Sequence, residues 1–390
     1  MSEEHSDIIE ELEPSSERDE ELEPSNEQDE ALDFTGEERR LITQPYDLGV
    51  RGIADDIAHD RISLNIQYQR QYVWDRGKAS RLIESLLLNV PIPVCYFAED
   101  ESGVYEVIDG LQRLTTIRDY LTDKFALSGL PVLHELEGAK FSELIPRDRR
   151  RLESRTIRCI VITEDSHPDI KFDVFERLNT GAAMLTAQEL RNSVYRGPFN
   201  DSLRVLAKEA YFTDLVGTTS NRRMDFEELI LRFFSLASGL ESYKPPLRQF
   251  LNEYMRKNRQ SPADPRLVDL FQQCCEVAQS SLGSAPFRVP GARNMLNKAV
   301  FDAVMVPVAH ADHVELAQHG REFAALMERI REEPEFKTAV GRATADRQRM
   351  LYRIGIVADG MRNLGIPVDL PAGLGLPAVD TKLESGSDQT

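Results

Sequence analysis

The residues best suited to chemistry lie together in one short segment, VYEVIDGLQRLTTIRDYL, at positions 104–121. A β-branched apolar run ends at Asp109-Gly110, and from Gln112 onward apolar residues recur at spacings of three and four. This pattern predicts a strand that turns at the glycine into a helix. The first turn of a helix has unpaired N–H groups and the positive end of the helix dipole, which favour a phosphate. Arg113 would add a cation, and Asp109 could hold a divalent metal ion.

The same junction also has a purely structural interpretation. Asp109 could cap the helix, and Arg113 could pair with Asp109 or with Glu106. Asp-Gly is a common turn sequence as well. The motif alone therefore leaves both interpretations open.

Two further segments carry polar residues that could join such a site. In YQRQYVWD, at 68–75, Gln69 and Arg70 lie beside aromatic residues. An arginine among aromatics can bind phosphate or stack on a base, although the aromatics could equally seal the core around a solvated arginine. In FERLNTGAAMLTAQELRN, at 175–192, a helix is predicted to end at Asn179-Thr180-Gly181. Asparagine is a residue type that tolerates positive φ at a helix end.

After this helix end, Thr186 and Glu189 predict a capping box at the start of a helix. The apolar stripe of that helix leaves Arg191 and Asn192 pointing outward, toward a ligand or into a surface ion pair. A run of arginines at 147–158 could likewise contact phosphates or form a solvated helix face.

Hydrophobic periodicity predicts the elements that would position these segments. The first half mixes strand and helix patterns, with strands at 63–68, 93–99, 104–109 and 157–163 and helices at 76–89, 112–123 and 146–153. The residues at 101–103, which end in a glycine, predict a hairpin between two of the strands.

Amphipathic helices dominate after Pro168. They are predicted at 169–178, 186–195, 200–209, 224–238, 264–281, 292–309, 313–331 and 343–361. The sequence therefore predicts an α+β fold. Its units are an acidic disordered tail at 1–40, an α+β sheet domain at 41–165, a helical domain at 166–365 and a flexible tail at 366–390.

The net charge of −19 is unevenly distributed. Residues 1–40 hold 17 of the 66 acidic and three of the 47 basic residues, which gives −14 there and −5 for the remainder. The body is thus only mildly acidic, and its charge does not exclude a nucleic-acid partner. The acidic tail contains a near-repeat, EELEPSSERD and EELEPSNEQD, which is either a solubilising segment or a competitor with phosphate for a basic groove.

Cysteines and histidines give little sign of a metal site or an oxidising compartment. The four cysteines, Cys95, Cys159, Cys274 and Cys275, form no CxxC pair and predict reduced core residues of a cytoplasmic protein. His310 and His313 could share a metal on a helix, without a third ligand in their motif. No apolar run approaches the about 18 residues of a membrane span.

Five segments in one order resemble the N-terminal domain of GmrSD-type modification-dependent restriction endonucleases. They are YQRQYVW, LIESLLLNVPIPVCYFAE, VIDGLQRLTTI, TIRCIVI and NTGAAMLTAQELRN. The resemblance covers about residues 45–210 and implies a ParB/sulfiredoxin-like mixed sheet domain followed by a helical domain.

In this family an Asp-Gly-Gln-Gln-Arg signature is tied to nucleotide binding and hydrolysis that governs cleavage of modified DNA. Here it falls on residues 109–113, with Leu111 replacing the first glutamine. The resemblance implies a nucleoside triphosphate with Mg²⁺ or Mn²⁺, the metal held by Asp109. The implied catalytic residues are Asp109, Gln112 and Arg113. The implied phosphate-binding residues are Gln69, Arg70, Gly110, Arg113, Thr115, Thr116, Asn179, Arg191 and Asn192.

The full restriction enzymes add a histidine-based nuclease domain, and we find no such pattern after residue 210. We therefore expect a nucleotide-binding, NTP-hydrolysing regulatory component of a bacterial restriction or anti-phage defence system, with a separate nuclease or defence subunit as partner. The alternatives are a non-catalytic ParB-like DNA-binding module, a metal-dependent DNA nickase built on Asp109 and Arg113, and a scaffold.

Overall fold

The computed structural model describes residues 40–64, 74–100, 102–178, 185–221, 223–288, 296–371 and 374. Gln69, Arg70 and Asn179 lie outside these residues, as do most of the two predicted tails.

A five-stranded mixed sheet forms the first half of the chain. Its strands are β1 (Thr43–Gly49), β2 (Ile62–Ser63), β3 (Cys95–Glu99), β4 (Tyr105–Asp109) and β5 (Thr156–Ile162), in the order β1-β5-β3-β4-β2. Strands β3 and β5 are parallel, while β4 is antiparallel to β3. The antiparallel β3–β4 pair confirms the predicted hairpin, and the mixed sheet confirms the α+β class.

Strand β1 was not predicted, because its sequence lacks the usual strand pattern. TQPYDLG contains a proline, and its first five residues are exposed. The strand lies at the sheet edge and pairs with β5 alone, from Thr43↔Ile162 to Gly49↔Thr156. An edge strand tolerates proline and polar residues, so backbone pairing rather than side-chain alternation defines it.

Four helices cover one face of the sheet. They are α1 (Val50–Ala58), α2 (Arg76–Leu88), α3 (Leu111–Leu121) and α4 (Pro146–Glu153). Their apolar residues share a core with Phe97 and Val107 of the sheet; the helix contributions include Ile53, Ile83, Ile117 and Leu152. Helix α4 has the predicted bounds, whereas α1 was missed although Val50, Ile53 and Ile57 have helical spacing.

The second half of the chain is helical and covers the opposite face. Its helices are α5 (Pro168–Leu178), α6 (Ala187–Val194), α7 (Pro198–Leu206), α8 (Ala210–Val216), α9 (Asp225–Gly239), α10 (Leu247–Asn258), α11 (Pro265–Leu282), α12 (Lys298–Ala309), α13 (His313–Gln318), α14 (Gly320–Glu332), α15 (Pro334–Gly341) and α16 (Arg347–Asn363). Ala98 and Ile162 of the sheet belong to this second core. Helices α8, α10 and α15 were not predicted.

The four cysteines are free and buried, as predicted. Among the described residues no helix has the length and apolarity needed to cross a membrane.

Candidate functional site

The predicted strand–turn–helix junction is present at the end of β4. Strand β4 ends at Asp109, Gly110 has φ +107° and ψ 4°, and α3 begins at Leu111. Gly110 occupies the N-cap position, and no side chain caps the helix. Asp109 is therefore not the helix cap, and no side chain of the described residues caps the first turn of α3, whose N–H groups and dipole favour an anion.

Packing against the sheet requires glycine at position 110. An ideal Cβ there would lie 2.5 Å from Cys95 Sγ and 3.1 Å from Cys95 Cβ. The positive φ alone already disfavours other residues. Gly110 thus has a structural role under the loop, in addition to any close approach of a ligand.

Arg113 fixes the carboxylate of Asp109. Its Nη2 lies 2.6 Å from Asp109 Oδ2, while its Nη1 donates to the carbonyls of Pro93 and Val94. The Arg113 side chain is 11% exposed and that of Asp109 is 44% exposed. Of the structural alternatives, the Arg113–Asp109 pair is therefore present. The other candidate partner, Glu106, pairs with Arg196 instead.

The two sheet cysteines form a polar contact beneath this loop. Cys95 and Cys159 are partners across the parallel β3–β5 pair, and both are fully buried. The pKa of the Cys95 thiol is lowered, chiefly by a hydrogen bond with Cys159 and also by the charge of Arg113, against the opposing effect of burial. Cys95 thus lies directly beneath Gly110 and close enough to Arg113 for its charge to lower this pKa, an effect that Asp109 opposes.

The other predicted residues of α3 make internal contacts. Gln112 Oε1 accepts a hydrogen bond from the Trp74 N–H at 3.3 Å. Thr116 is fully buried and its hydroxyl donates to the Gln112 carbonyl at 2.7 Å, while Thr115 is 7% exposed. Their phosphate contacts stay predictions, and such contacts by the two threonine side chains would require the helix to shift.

Gln69 and Arg70 lie outside the described residues, but the residues on either side of their segment are described. Strand β2 runs parallel to β4, with Ile62 paired to Tyr105, so the chain leaves β2 toward the end of β4 where Asp109 lies. At its other end this segment leads to Trp74, whose N–H bonds to Gln112.

Asn179 also lies outside the described residues, and helix α5, which precedes it, ends at Leu178. Helix α5 follows β5, and a helix that packs on a sheet runs back toward the edge where the preceding strand began. Because β5 is antiparallel to β4, this is the edge where β4 ends. The start of α5 is held by Tyr195, whose hydroxyl donates to Asp169 Oδ1 at 2.6 Å.

Arg191 and Asn192 do not point outward as predicted. Arg191 is 2% exposed, donates to Asn252 Oδ1 of α10 at 2.8 Å, and lies over the Phe172 ring at 5.9 Å. Asn192 is fully buried and contacts Met224 at the start of α9. The expectation was wrong because α9 and α10 pack over α6, which places its polar side chains in the interior of the helical half. The capping box of Thr186 and Glu189 is confirmed.

The charge of Arg191 also acts on Glu228 of α9. Burial alone would raise the pKa of Glu228, but the charges of Lys298, Arg191 and Arg232 outweigh it and lower this pKa to about 2. Lys298 Nζ lies 3.1 Å from Glu228 Oε2. The packing of α6, α9 and α12 within the helical half is therefore stabilised by an ionised, enclosed carboxylate.

This pKa predicts an acid-dependent loss of stability. The folded-state pKa lies below the ordinary value of 4.5, so the stabilisation is complete above that value and is lost as pH falls toward the folded-state pKa. Between pH 5 and pH 3 the free energy of unfolding of Glu228→Gln should fall by about 2 kcal/mol less than that of the unmodified protein. Urea unfolding across this range measures the difference, and equal pH dependence in both proteins would contradict it.

Of the residues that the structure describes, Asp109 would be the one carboxylate ligand of a metal ion at the loop. Among the described residues no three His, Cys, Asp or Glu side chains are grouped to hold a metal. His310 and His313 do not share a site, since their Nε2 atoms bond to the carbonyls of Ala237 and Val308. Mg²⁺ commonly uses one or two carboxylates together with substrate phosphates. The half-exposed Asp109 is compatible with that mode.

Comparison with known families places this loop inside a defined domain. The model of the GmrSD restriction endonuclease N-terminal domain matches residues 55–196, from within α1 to just after α6. No curated protein gives a significant match to the chain. Residues 55–196 therefore form a domain of the GmrSD restriction endonuclease N-terminal type.

Proposed function

We propose that this chain binds a nucleoside triphosphate at the β4–α3 loop and hydrolyses it as a regulatory component of a DNA restriction or anti-phage defence system. The observation that carries the proposal is the N-terminus of α3, which no described side chain caps, directly behind Asp109 and with the guanidinium of Arg113 beside it. A helix dipole, the N–H groups of a first helical turn and a cation at one place are what a phosphate group requires.

Each residue of the β4–α3 loop would have a separate role in binding or hydrolysis. The first turn of α3 and Arg113 hold the terminal phosphates, and Asp109 directs its carboxylate toward a bound cation or the attacking water. Gln112 exchanges its bond with the Trp74 N–H for one to that water. When bound, Mg²⁺ or Mn²⁺ would neutralise charge that develops on the phosphates.

A bound phosphate could replace Asp109 as the partner of Arg113. Arg113 is held by two backbone carbonyls, so its guanidinium stays in place when a phosphate replaces Asp109 as its partner. The released carboxylate then becomes available to a cation. The family match supports the role in restriction, since it covers the loop and both flanking segments.

The test is NTP turnover with Mg²⁺ or Mn²⁺, with and without DNA, by the unmodified protein and Asp109→Asn. We expect turnover by the unmodified protein and a loss of about a hundredfold or more in the variant. Asp55→Asn is the matched control, because Asp55 is 48% exposed and pairs with Arg51 at the same i,i+4 spacing. Absence of turnover under every condition, or equal turnover in Asp109→Asn, would overturn the proposal.

The same assay separates the alternatives. A non-catalytic DNA-binding module predicts DNA affinity that falls steeply with salt and is unaffected by Asp109→Asn. A nickase predicts metal-dependent DNA cleavage that the same substitution abolishes.

A further inference from the structure

Helices α2 and α4 pack together and both carry exposed basic side chains. These are six cations, Arg76, Lys78, Arg81, Arg147, Arg150 and Arg151. None of these side chains has an ion pair or hydrogen bond with another described residue. We call these six residues the basic face.

The other arginines of the 147–158 run have internal partners. Arg149 donates to the Ser142 carbonyl at 2.6 Å, Arg155 donates to the Leu86 carbonyl at 2.9 Å, and Arg158 pairs with Asp47 at 2.6 Å. Arg155 thereby ties the end of α4 to α2. The run therefore contains two kinds of arginine. Some have partners within the fold, and the side chains of the others remain available to a binding partner.

The acidic N-terminal residues of the same chain carry a charge opposite to that of the basic face. Residues 1–39 contain 17 acidic and two basic residues, which gives −15. They include two successive acidic blocks, EELEPSSERD and EELEPSNEQD. Two acidic blocks facing two basic helices would give a bivalent contact.

The attachment point allows these residues to reach the face. The described chain begins at Arg40 beside β1, and the far end of β1 pairs with Thr156, shortly after α4 ends. The seven residues of β1 span about 24 Å. A flexible chain of the length of residues 1–39 has a mean end-to-end distance of about 35 Å. Attachment in the same chain also gives a millimolar effective concentration.

We propose that the acidic segment of residues 1–39 docks on the basic face of its own chain and must be displaced before a phosphate polymer can bind there. The contact is electrostatic and therefore weakens as ionic strength rises. It would act as an internal competitor that excludes weakly bound nucleic acid.

The experiment measures the distance from this segment to α4 in the full-length chain. Spin labels are attached to Ser15→Cys and to Ser154→Cys, an exposed site after α4, because the four native cysteines are buried. Double electron–electron resonance at low ionic strength should show a narrow population at short distance, separate from the broad distribution expected for an undocked segment. Arg147→Gln/Arg150→Gln/Arg151→Gln should reduce that population about tenfold, and 0.5 M salt should do the same.

A matched control removes exposed arginines elsewhere. Arg321→Gln/Arg342→Gln, in the helical half, should leave the short-distance population unchanged. One broad distribution, identical in the unmodified protein and the triple variant at both ionic strengths, would overturn the proposal. It would also be overturned if a DNA duplex bound the basic face while the label distances stayed the same.

Discussion

Replacing Asp302 with alanine is expected to lower the free energy of unfolding by about 3–5 kcal/mol. Asp302 is 1% exposed and accepts from two arginines, Arg232 at 2.5 Å and Arg353 at 2.9 Å. Without the carboxylate the two buried guanidiniums would lose their shared partner, which leaves Arg232 with only the more distant Glu228 at 3.7 Å and leaves Arg353 without a carboxylate among the described residues, and burial already lowers the pKa of Arg353. Urea unfolding measures the loss.

An exposed ion pair provides the control for Asp302. Glu253 pairs with Arg256 at 2.7 Å, with side chains 37% and 41% exposed. Glu253→Ala should cost no more than about 1 kcal/mol. An equally small cost for Asp302→Ala would contradict the expectation that the buried ion pairs of Asp302 with Arg232 and Arg353 stabilise the helical half.

Gly110→Ala should lower the free energy of unfolding by about 2–4 kcal/mol, because it adds a steric clash to backbone strain. The new Cβ would lie 2.5 Å from Cys95 Sγ, at a φ of +107°. Cys95→Ala removes that sulfur, so the double variant Gly110→Ala/Cys95→Ala should show a favourable coupling energy of about 1 kcal/mol or more in a double-mutant cycle.

Gly103→Ala isolates the backbone contribution. Gly103 also has positive φ, +79°, but nothing lies within 4 Å of a Cβ placed there. Its cost should be limited to about 1 kcal/mol of conformational strain. Equal losses for Gly103→Ala and Gly110→Ala would show that the contact with Cys95 has no energetic effect.

Local patterns predicted the loop and its helix well. The β-branched run ending at Asp109-Gly110 is strand β4, and the apolar spacing after it is α3. The Thr186 capping box also follows from neighbouring residues alone. These features depend on backbone preferences within a few residues, which a single sequence contains.

Long-range packing explains what the sequence did not predict. No local pattern indicates that Cys95 lies beneath Gly110 or that Trp74 bonds to Gln112. Arg191 looked exposed because its own helix has one apolar stripe, yet α10 supplies Asn252 to bury it. Such partners are 15 to 61 positions apart and depend on how the elements assemble.

The central claim, that a triphosphate binds at the β4–α3 loop, is tested most directly by locating the bound nucleotide. ATP and GTP carrying a photoreactive anilide on the γ-phosphate would be cross-linked to the full chain with Mg²⁺, and the modified peptides identified by mass spectrometry. We predict labelling within residues 104–121, abolished by excess unmodified nucleotide. Labelling elsewhere would contradict the claim, for example in the open cavity of about 440 Å³ between α15 and α16, lined by Glu335, Arg349 and Tyr352.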